Sequence, residues 1–545
     1  MEKEWVVYPK VNGDLREQLL SNRGIKDLSS AQKFLKPFLT ELSEVGLQLP
    51  QIDKAVERIK KAIKNKELIY VYGDFDVDGI TGTAILWETI DYLQGRVLPY
   101  IPHRETEGYG LHTEALEKLS KEGAKMVISV DCGITAVEQA KIAKRLGVDL
   151  IITDHHEPQE ELPSPFALLH TTKLAGSGVA FRLAEALLES SGQDRDEQFF
   201  KNLELAAIGT VADMVPLVGE NRIIVKNGLP LLSKSERLGL KSLYEQASIS
   251  KSIGSSQIGF IIAPRLNAMG RMEHALDSLR LLLTRKPERA RSLAVKLSSI
   301  NEQRQKATEE ALTHARGVVE KEFTGAKMFI LDHESYQQGV VGLVAGKIVE
   351  EYYRPTAVIS VGHDVSKGSA RSVSGFHITN ALKVSEKYLE AFGGHPMAAG
   401  FSILPEKIGK FREKMVKHAE STLTKKDLTP TLKIDTEIDP EKINSDTRSV
   451  VEEFEPFGIG NPEPTFLTKN FEVLEARTVG AAGKHLKLLL KTPSQPVFDA
   501  IWFSFKKEKP EKGSRVDVVY NLLEDFWNGR RRLQIKVKDL RESKG

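Results

Sequence analysis

From residue 68 onward, short apolar runs alternate with helical segments, and this alternation restricts the fold more than any other feature of the chain. The runs are LIYVY (68–72), RVLPYI (96–101), MVISV (126–130) and DLIIT (149–153). Such short, largely apolar runs suit strands buried on both faces. Both faces of a sheet are covered when helices cross over between parallel strands. Segments such as AVEQAKIAKRLG carry the helical spacing such crossovers need. The expected fold class is α/β, built on a parallel sheet.

At 545 residues the chain exceeds one ordinary core and suggests roughly three or four domains. Residues 1–50 read as a mixed helical and loop extension, and 51–285 as the first α/β domain with a helix-rich continuation. A long helix is expected over 286–323. Leu293, Leu297, Ile300, Ala307, Ala311 and Val318 recur there at three-four spacing, interrupted by Arg304, with Pro287 near the start. A helix of that length between two chemistries reads as a connector. A second α/β block, 324–430, holds AKMFILD, RPTAVISV and the glycine-rich FGGHPMAAGFS. Residues 431–545 read as all-β. HLKLLL and RRLQIKVKD are strand-like, and Asn528-Gly529 between strand-like flanks signals a hairpin. A small barrel, with the oligonucleotide-binding fold as one candidate, is expected there.

The formal net charge is only +2, so contact with a polyanion must come from local basic clusters. Cys132 is the sole cysteine, which rules out a disulfide within the chain and fits a reducing interior. The N-terminus lacks an apolar signal region and no apolar run approaches membrane-span length, so the expected setting is the cytoplasm with no membrane partner.

The first strand runs into GDFDVDG. Asp74-x-Asp76-x-Asp78-Gly79 is half of a calcium loop, but the bidentate glutamate that loop needs at its last position is replaced by Ile85. The cation and its remaining ligands must be sought elsewhere. DCG (131–133) follows the strand MVISV, and TDHHEP (153–158) follows DLII. Three strand ends therefore deliver Asp76 and Asp78, then Asp131, then Asp154, His155 and His156. Ligands of open α/β sheets bind outside the carboxyl ends of the strands. Grouped carboxylates repel unless a cation neutralises them. Mixed Asp and His donors suit manganese, magnesium, zinc or iron rather than calcium. The carboxylates suffice for two ions about 4 Å apart with a bridging aspartate, the arrangement that clamps attacking and leaving oxygens in phosphoryl transfer. A lone D-x-D is usually a solvated turn and a lone His pair usually structural. Their recurrence at three successive strand ends carries the argument.

With Asp154-His155-His156 preceded by GDFDVDG and DCG, the chain resembles the DHH phosphoesterase superfamily and, within it, the RecJ family of bacterial single-strand-specific 5′→3′ exonucleases. The resemblance covers nearly the whole chain. It includes RGIKDLSSAQKFLKP (23–37), IPHRETEGYGLH (101–112), LAGSGVAFRL (174–183), AAIGTVADMVPLVGENR (206–222), IAPRLNAMGRM (262–272), QGVVGLVAGKI (338–348), KGSARSVSGFHI (367–378), FGGHPMAAGF (392–401) and FEPFGIGNPEP (454–464). It implies a DHH domain over 51–285, a DHH-associated substrate domain over 324–430 and an OB-like nucleic-acid-binding domain over 431–545.

The resemblance further implies two divalent ions, Mn2+ or Mg2+. Asp76, Asp78, Asp131, His155 and Asp213 match the ligands, with Asp131 bridging. Asp74 is expected to support the cluster or to bind through water. Asp154 is expected to orient a neighbouring histidine, and His156 to contact the scissile phosphate. A water activated by the ions would be the nucleophile. Arg104, Arg265 and Asn267 match substrate-contacting positions, guanidinium being suited to phosphate, and Tyr109 could stack on a base. Ser369 and Arg371 resemble the residues that capture a 5′-terminal phosphate, with His395 near the same cleft. For Gly393 and Gly394 two readings stand, close approach of backbone to phosphate or a tight turn that requires glycine. The implied activity is release of mononucleotides from single-stranded DNA in repair and recombination. Single-stranded DNA, a helicase and a single-strand-binding protein are the expected partners. In the family mechanism the strand runs over the barrel and through a cleft too narrow for duplex.

The chain departs from the family in three places. Tyr336-Gln337 stand where a Trp-His pair is common, LLHTTK (168–173) replaces an Asn-Pro, and the further C-terminal domain of longer relatives is not expected after the barrel. Two other functions stand beside the exonuclease: a DHH phosphodiesterase for short oligonucleotides or cyclic dinucleotides, and an inactive DNA-binding scaffold. The retained acidic set argues against the scaffold.

Overall fold

All four apolar runs form strands of one parallel sheet in the order β3-β2-β4-β5-β6. Strands are numbered along the chain from β1 (Glu4–Val7), and the sheet comprises β2 (Leu68–Gly73), β3 (Arg96–Tyr100), β4 (Ala124–Val130), β5 (Asp149–Asp154) and β6 (Ala167–His170). The computed structural model describes residues 3–40, 42, 49–249, 252–323, 325–480, 483–492, 496–505, 507–527 and 530–543. They fall into two units, 25–302 with 452–463, and 1–24 with 303–451 and 464–545.

In the first unit, the alternating residues of β2 feed two separate cores. Ile69 and Val71 pack with Ile80, Ala84 and Ile85 of helix Val77–Tyr92 and with Val179 and Ala180 of helix Gly176–Ser191. Leu68, Tyr70 and Tyr72 pack with Leu116 and Leu119 of helix Thr113–Lys121 and with Ala140 and Ala143 of helix Val137–Arg145. Burial on both faces explains why the strands read as continuous apolar runs. The chain leaves β2 toward β3 and returns on its other side as β4, so strand order reverses at the β2/β4 boundary. Gly73 pairs with Val130, and Val130 with Thr153. The residues that follow, Asp74, Asp131 and Asp154, therefore emerge at one level at a topological switch point, where open α/β sheets bind ligands.

Residues 452–463 are tied into this unit by Arg222, on helix Gly219–Leu232. Its buried guanidinium donates to the carbonyls of Phe34 (2.6 Å), Phe454 (3.0 Å), Glu455 (3.0 Å) and Pro456 (3.3 Å) and lies 3.9 Å from the Phe34 ring centroid.

In the second unit, β9 (Ser366–Arg371), β10 (Leu389–His395) and β11 (Ala398–Ile403) join β7 (Phe329–His333) and β8 (Thr356–Ser360) in a mixed sheet ordered β10-β11-β9-β8-β7. Only β7 and β8 are parallel. The barrel strands are β14 (Phe466–Val479), β15 (His485–Lys491), β16 (Val497–Trp502), β17 (Arg515–Trp527) and β18 (Arg530–Glu542). Pairing of β14 with β17 closes them into a five-stranded barrel. The α/β blocks and the C-terminal barrel are thus as the sequence indicates. Asn528-Gly529 lie outside the described residues, and their flanks pair antiparallel with Trp527 opposite Arg530.

Three local features differ from the sequence reading. The opening residues contain a strand, β1, which pairs in parallel with β12 (Thr431–Ile434). The run WVVY before Pro9 is rich in β-formers, but a four-residue strand is secured by its partner, and that partner is remote in sequence. A helix, Ser445–Glu453, precedes the barrel within the segment read as all-β. The long helix spans Pro287–Glu322, but its buried stripe passes through Leu312, Ala315 and Val319 while Val318 is half-buried. The helix supplies Leu293 and Leu297 to the first unit's core and Ala311, Leu312 and Ala315 to a core of the second.

Arg222→Ala should remove one donor from each of four carbonyls, those of Phe454 and Pro456 keeping Asn461 Nδ2 and that of Glu455 keeping Lys226 Nζ, and lower stability by about 2 kcal/mol. Arg222→Lys should recover only part, because an ammonium cannot reproduce the planar fork. Thermal denaturation of the three proteins measures this.

Candidate metal centre

The turn after β2 is built around its own aspartates. Asp76 caps helix Val77–Tyr92, its carboxylate accepting from Asp78 N–H (2.9 Å) and Gly79 N–H (3.1 Å). A Cβ at Gly79 would lie 2.6 Å from both the backbone nitrogen and oxygen of Asp74. The glycine that mimics a calcium loop is therefore required by close backbone approach.

Asp78 faces the opening of helix Gly176–Ser191. Its carboxylate accepts from Gly176 N–H (2.6 Å) and Ser177 N–H (3.0 Å), donors at the positive end of that helix. Asp131 follows β4 with φ of 62°, a left-handed conformation unusual for a non-glycine residue. A Cβ at Gly176 would come within 2.6 Å of Asp131 Cβ and 2.7 Å of its Oδ1, so only glycine lets the helix approach this carboxylate. Asp154 has both oxygens engaged. Oδ1 accepts from the backbone of His155 (2.7 Å) and from Nδ1 of His156 (2.8 Å), and Oδ2 accepts from Ile134 N–H (2.8 Å).

His155 Nε2 stands 3.1 Å from Asp131 Oδ1, 3.6 Å from Asp213 Oδ2 and 3.9 Å from Asp78 Oδ2. Three overlapping groups have donor atoms close enough to share a cation: Asp74, Asp76 and Asp131; Asp78, His155 and Asp213; Asp131, His155 and His156. Asp74, whose part was open in the sequence, thus sits with Asp76 and Asp131. Asp74 Oδ1, Asp131 Oδ1 and Asp213 Oδ2 are buried and have no hydrogen-bond donor among the described residues. Buried carboxylate oxygens without donors, ringed by more carboxylates and an imidazole, fit divalent ions. Sharing of Asp131 among the groups fits two.

Burial, then the charges of neighbouring aspartates, pushes Asp131 and Asp74 well above the usual carboxylate range. The same causes raise Asp78 to about 6 and Asp213 to about 8. Burial also acts to raise Asp154, but its hydrogen bond and charge interaction with His156 hold it low. His156, opposed by burial, is raised by Asp154 to about 9.

The other residues singled out by sequence divide between the units. In the first, the Arg104 guanidinium lies 5.1 Å from the Phe75 ring centroid and feels Asp74 and Asp76, with burial lowering its pKa. Tyr109 is half-exposed, its hydroxyl 3.1 Å from His156 Nδ1 and 3.3 Å from the Asp131 carbonyl. Arg265 donates to the Ile261 carbonyl at 2.9 Å. Asn267 Oδ1 accepts from Val77 N–H at 3.1 Å, bracing the acidic turn. In the second unit, Arg371 donates to Ser369 Oγ (2.8 Å) and to the Ala370 carbonyl (2.9 Å) on β9. Gly342, at the start of helix Val341–Tyr352, would place a Cβ 2.9 Å from Arg371 Nη2 and 3.0 Å from Ser369 Oγ. Arg371 pairs across to Ala398, and Ala398 to the exposed His395. Gln337 is exposed on the turn before that helix.

Sequence reasoning missed two parts. His170 Nε2 lies 2.7 Å from the His156 carbonyl and supports the DHH loop from within LLHTTK. The Gly176 and Ser177 amides hold Asp78, and a Gly-Ser-Gly run opening a helix was the available signal.

A cation at this centre must displace the protons of the raised carboxylates. Mn2+ affinity should therefore be greatest above pH 8 and weaken as pH falls through about 8 and then about 6, measured by calorimetric titration. Folded pKa values above the unfolded ones also mean that these groups destabilise the metal-free fold progressively as pH rises from about 4. Mn2+ should accordingly raise the melting temperature more at pH 8 than at pH 6. Gly176→Ala should abolish this metal-induced shift while leaving the secondary structure, read by circular dichroism, intact.

Residues 68–210 match the DHH family, N-terminal domain; 325–421 match the DHHA1 domain; and 434–539 match the RecJ OB domain. The chain is 37% identical over 538 residues to the single-stranded-DNA-specific exonuclease RecJ of Bacillus subtilis, covering 96% of this chain and 67% of that protein. It is 31% identical to the RecJ of Escherichia coli, covering 96% of this chain and 95% of that one. The crystal structure of Thermus thermophilus RecJ in complex with Mn2+ superposes with a TM-score of 0.86 at 30% identity, covering 99% of this chain and 80% of that one. The same protein in complex with Mg2+ gives a TM-score of 0.79 at 28% identity, with 99% and 79% covered. With three family domains in order and full-length similarity of this extent, the chain belongs to the RecJ family of the DHH phosphoesterases.

Proposed function

We propose that this protein is a metal-dependent exonuclease that hydrolyses single-stranded DNA from the 5′ end and releases mononucleotides. The observation that carries the reading is the group of buried carboxylates and His155 around donor-free oxygens at the switch point, in a chain whose relatives are named single-stranded-DNA-specific exonucleases. Asp76, Asp78, Asp131, His155 and Asp213 would hold two divalent ions, Mn2+ or Mg2+, with Asp131 common to both and Asp74 beside them. Bound there, the ions supply the Lewis acidity that activates a water and stabilises charge on the phosphate.

Asp154, fully hydrogen-bonded and ionised, orients His156 and keeps its imidazole protonated near neutral pH. His156 then donates to a nonbridging oxygen of the scissile phosphate. Tyr109, against the His156 ring at 5.4 Å, confines that imidazole and offers a half-exposed ring to a base. Arg104 and Arg265 supply positive charge to the strand. Asn267 spends its carbonyl on Val77 and offers its amide nitrogen. Ser369, Arg371 and His395 receive the 5′-terminal phosphate, with Gly342 allowing a helix N-terminus to approach the same group. The labour divides into chemistry over 51–285, 5′-end capture over 324–430 and strand binding over 431–545, with 286–323 as connector and 1–50 as an extension.

A nuclease confined to single strands consumes what strand separation produces. The reading therefore includes a helicase or a single-strand-binding protein that supplies the strand, and a cytoplasmic setting in repair and recombination. No helix among the described residues is long and apolar enough to cross a membrane.

With Mn2+, strands labelled at the 5′ end should lose the label as a mononucleotide from the outset, whereas 3′-labelled strands shorten progressively and duplex survives. Cleavage of dinucleotides alone would favour the short-oligonucleotide phosphodiesterase. Asp131→Asn should reduce turnover by at least about a hundredfold, the scale of losing a charge stabiliser in a water-excluded site. Single-strand binding by the same variant should largely survive.

A further inference from the structure

A groove of about 890 Å³ opens on the second unit, lined by Lys3, Lys327, Arg354, Lys425, Lys426 and Arg541. These cations come from three places: the N-terminal strand with its flank, the second α/β block with the segment leaving it, and the last barrel strand, β18. Glu4 is the one carboxylate among the lining residues. In a chain whose net charge is only +2, six cations against one anion is a strong local imbalance.

The positive charge is held in place without being neutralised. Lys3 Nζ donates to the Lys538 carbonyl (3.1 Å), and Lys327 Nζ to those of Glu420 (2.8 Å) and Leu423 (2.6 Å). Arg354 donates to the carbonyls of Tyr353 (2.9 Å) and Leu428 (3.0 Å). None of the six cations forms an ion pair with a carboxylate among the described residues. Uncharged acceptors fix these side chains and leave their charge directed at the groove.

An aromatic surface accompanies the charge. The Arg541 guanidinium lies 4.1 Å from the centroid of the half-buried Trp5 ring, and its Nε is buried with no hydrogen-bond partner among the described residues. Trp5 is fixed in turn by its indole N–H, which donates to Asp539 Oδ2 at 2.8 Å. The Trp5 ring packs against Ile434, Leu467 and Val519, so the Arg541 guanidinium is the planar face it lends to the groove; cations beside such a plane are the chemistry that binds single strands without sequence preference, phosphates on the cations and a base on the guanidinium. The volume exceeds that of one phosphate, since a water occupies about 30 Å³. An acidic peptide would use the charge but not the stacking surface.

We propose that this groove is a second contact for single-stranded nucleic acid, outside the metal centre and the 5′-phosphate group, with the six cations taking the phosphodiester backbone and the Arg541–Trp5 pair taking a base. The ligand class rests on the nuclease reading.

The test uses Lys425→Ala/Lys426→Ala in the full chain, since both side chains are exposed and neither belongs to the metal centre or the 5′-phosphate group. Binding of an oligo-dT of about 40 nucleotides is followed by fluorescence anisotropy in EDTA across a salt series. Losing two contacts of about 0.7 each should flatten the slope of log K against log salt by about 1.4, which corresponds to roughly a 25-fold loss of affinity at about 0.1 M salt. Mn2+-dependent cleavage of a strand of about 8 nucleotides, short against a barrel-sized site, should be unchanged. An unaltered slope and affinity would overturn the proposal. So would polyglutamate binding lost in the variant while the long strand binds both proteins equally, an outcome that makes the groove a protein site. Independently of any variant, iodouracil-containing strands irradiated on the wild-type protein should crosslink at Trp5 or within 425–429, and crosslinks confined to other segments would refute the contact. Absence of cleavage by the wild type would sink the nuclease reading alone, because the binding measurements need no turnover.

Discussion

Mutual repulsion among carboxylates carried to one level by neighbouring strands governs this structure. Asp74, Asp131 and Asp154 each follow or end a strand of the parallel sheet, in register across β2, β4 and β5. Asp76, Asp78 and Asp213 crowd the same space. In a buried site such charges cannot all persist without a counter-ion. The raised pKa values of Asp74, Asp78, Asp131 and Asp213 express that conflict. Divalent cations resolve it, and the same cations are what phosphodiester hydrolysis requires. The arrangement that burdens the metal-free fold is thus the one that makes the chemistry available.

The carboxylates are not equivalent, and hydrogen bonding separates them. Asp76 is held by amides of its own helix, Asp78 by amides at the start of another, and Asp154 by three backbone or imidazole donors in the DHH loop and by Ile134 N–H. Asp74, Asp131 and Asp213 each keep a buried oxygen without a donor among the described residues. Saturated groups set orientation, and unsaturated oxygens are left for cations. Helix N-termini do much of this work because their free amides face the site and carry partial positive charge. Glycine is needed where these helices approach closely. Gly176 lies against Asp131, and Gly79 lies against the backbone of Asp74.

The second unit concentrates charge differently. Ser369 and Arg371 form a compact group under the start of a helix, whereas the basic groove gathers side chains from distant parts of the chain around the Trp5 ring. The first is the group proposed to take a single terminal phosphate, and the second the one proposed to take an extended backbone. A chain with almost no net charge can therefore present strongly anion-seeking surfaces, because charge is sorted by place rather than by total.

Much of this is legible in the sequence. The apolar runs revealed the parallel sheet because burial on both faces leaves a local trace in every residue, and the acidic motifs at strand ends revealed a cation site because like charges need a reason to cluster. The calcium-like spacing of Asp74, Asp76 and Asp78 is a local resemblance, and the lack of a glutamate at Ile85 leaves the closing ligands to other strand ends. What composition and periodicity could not supply was proximity between distant segments. The pairing of Glu4–Val7 with Thr431–Ile434, the amides of Gly176 and Ser177 on Asp78, the support of the DHH loop by His170 and the clamp of Arg222 on residues 454–456 all join parts with no shared local pattern. The sequence by itself determined which elements form and which residue types reach the strand ends, since those depend on neighbours a few positions away. Only the tertiary structure decided which carboxylate oxygens remain without donors and which cations converge on one groove, because packing across the chain sets register, close approach and burial.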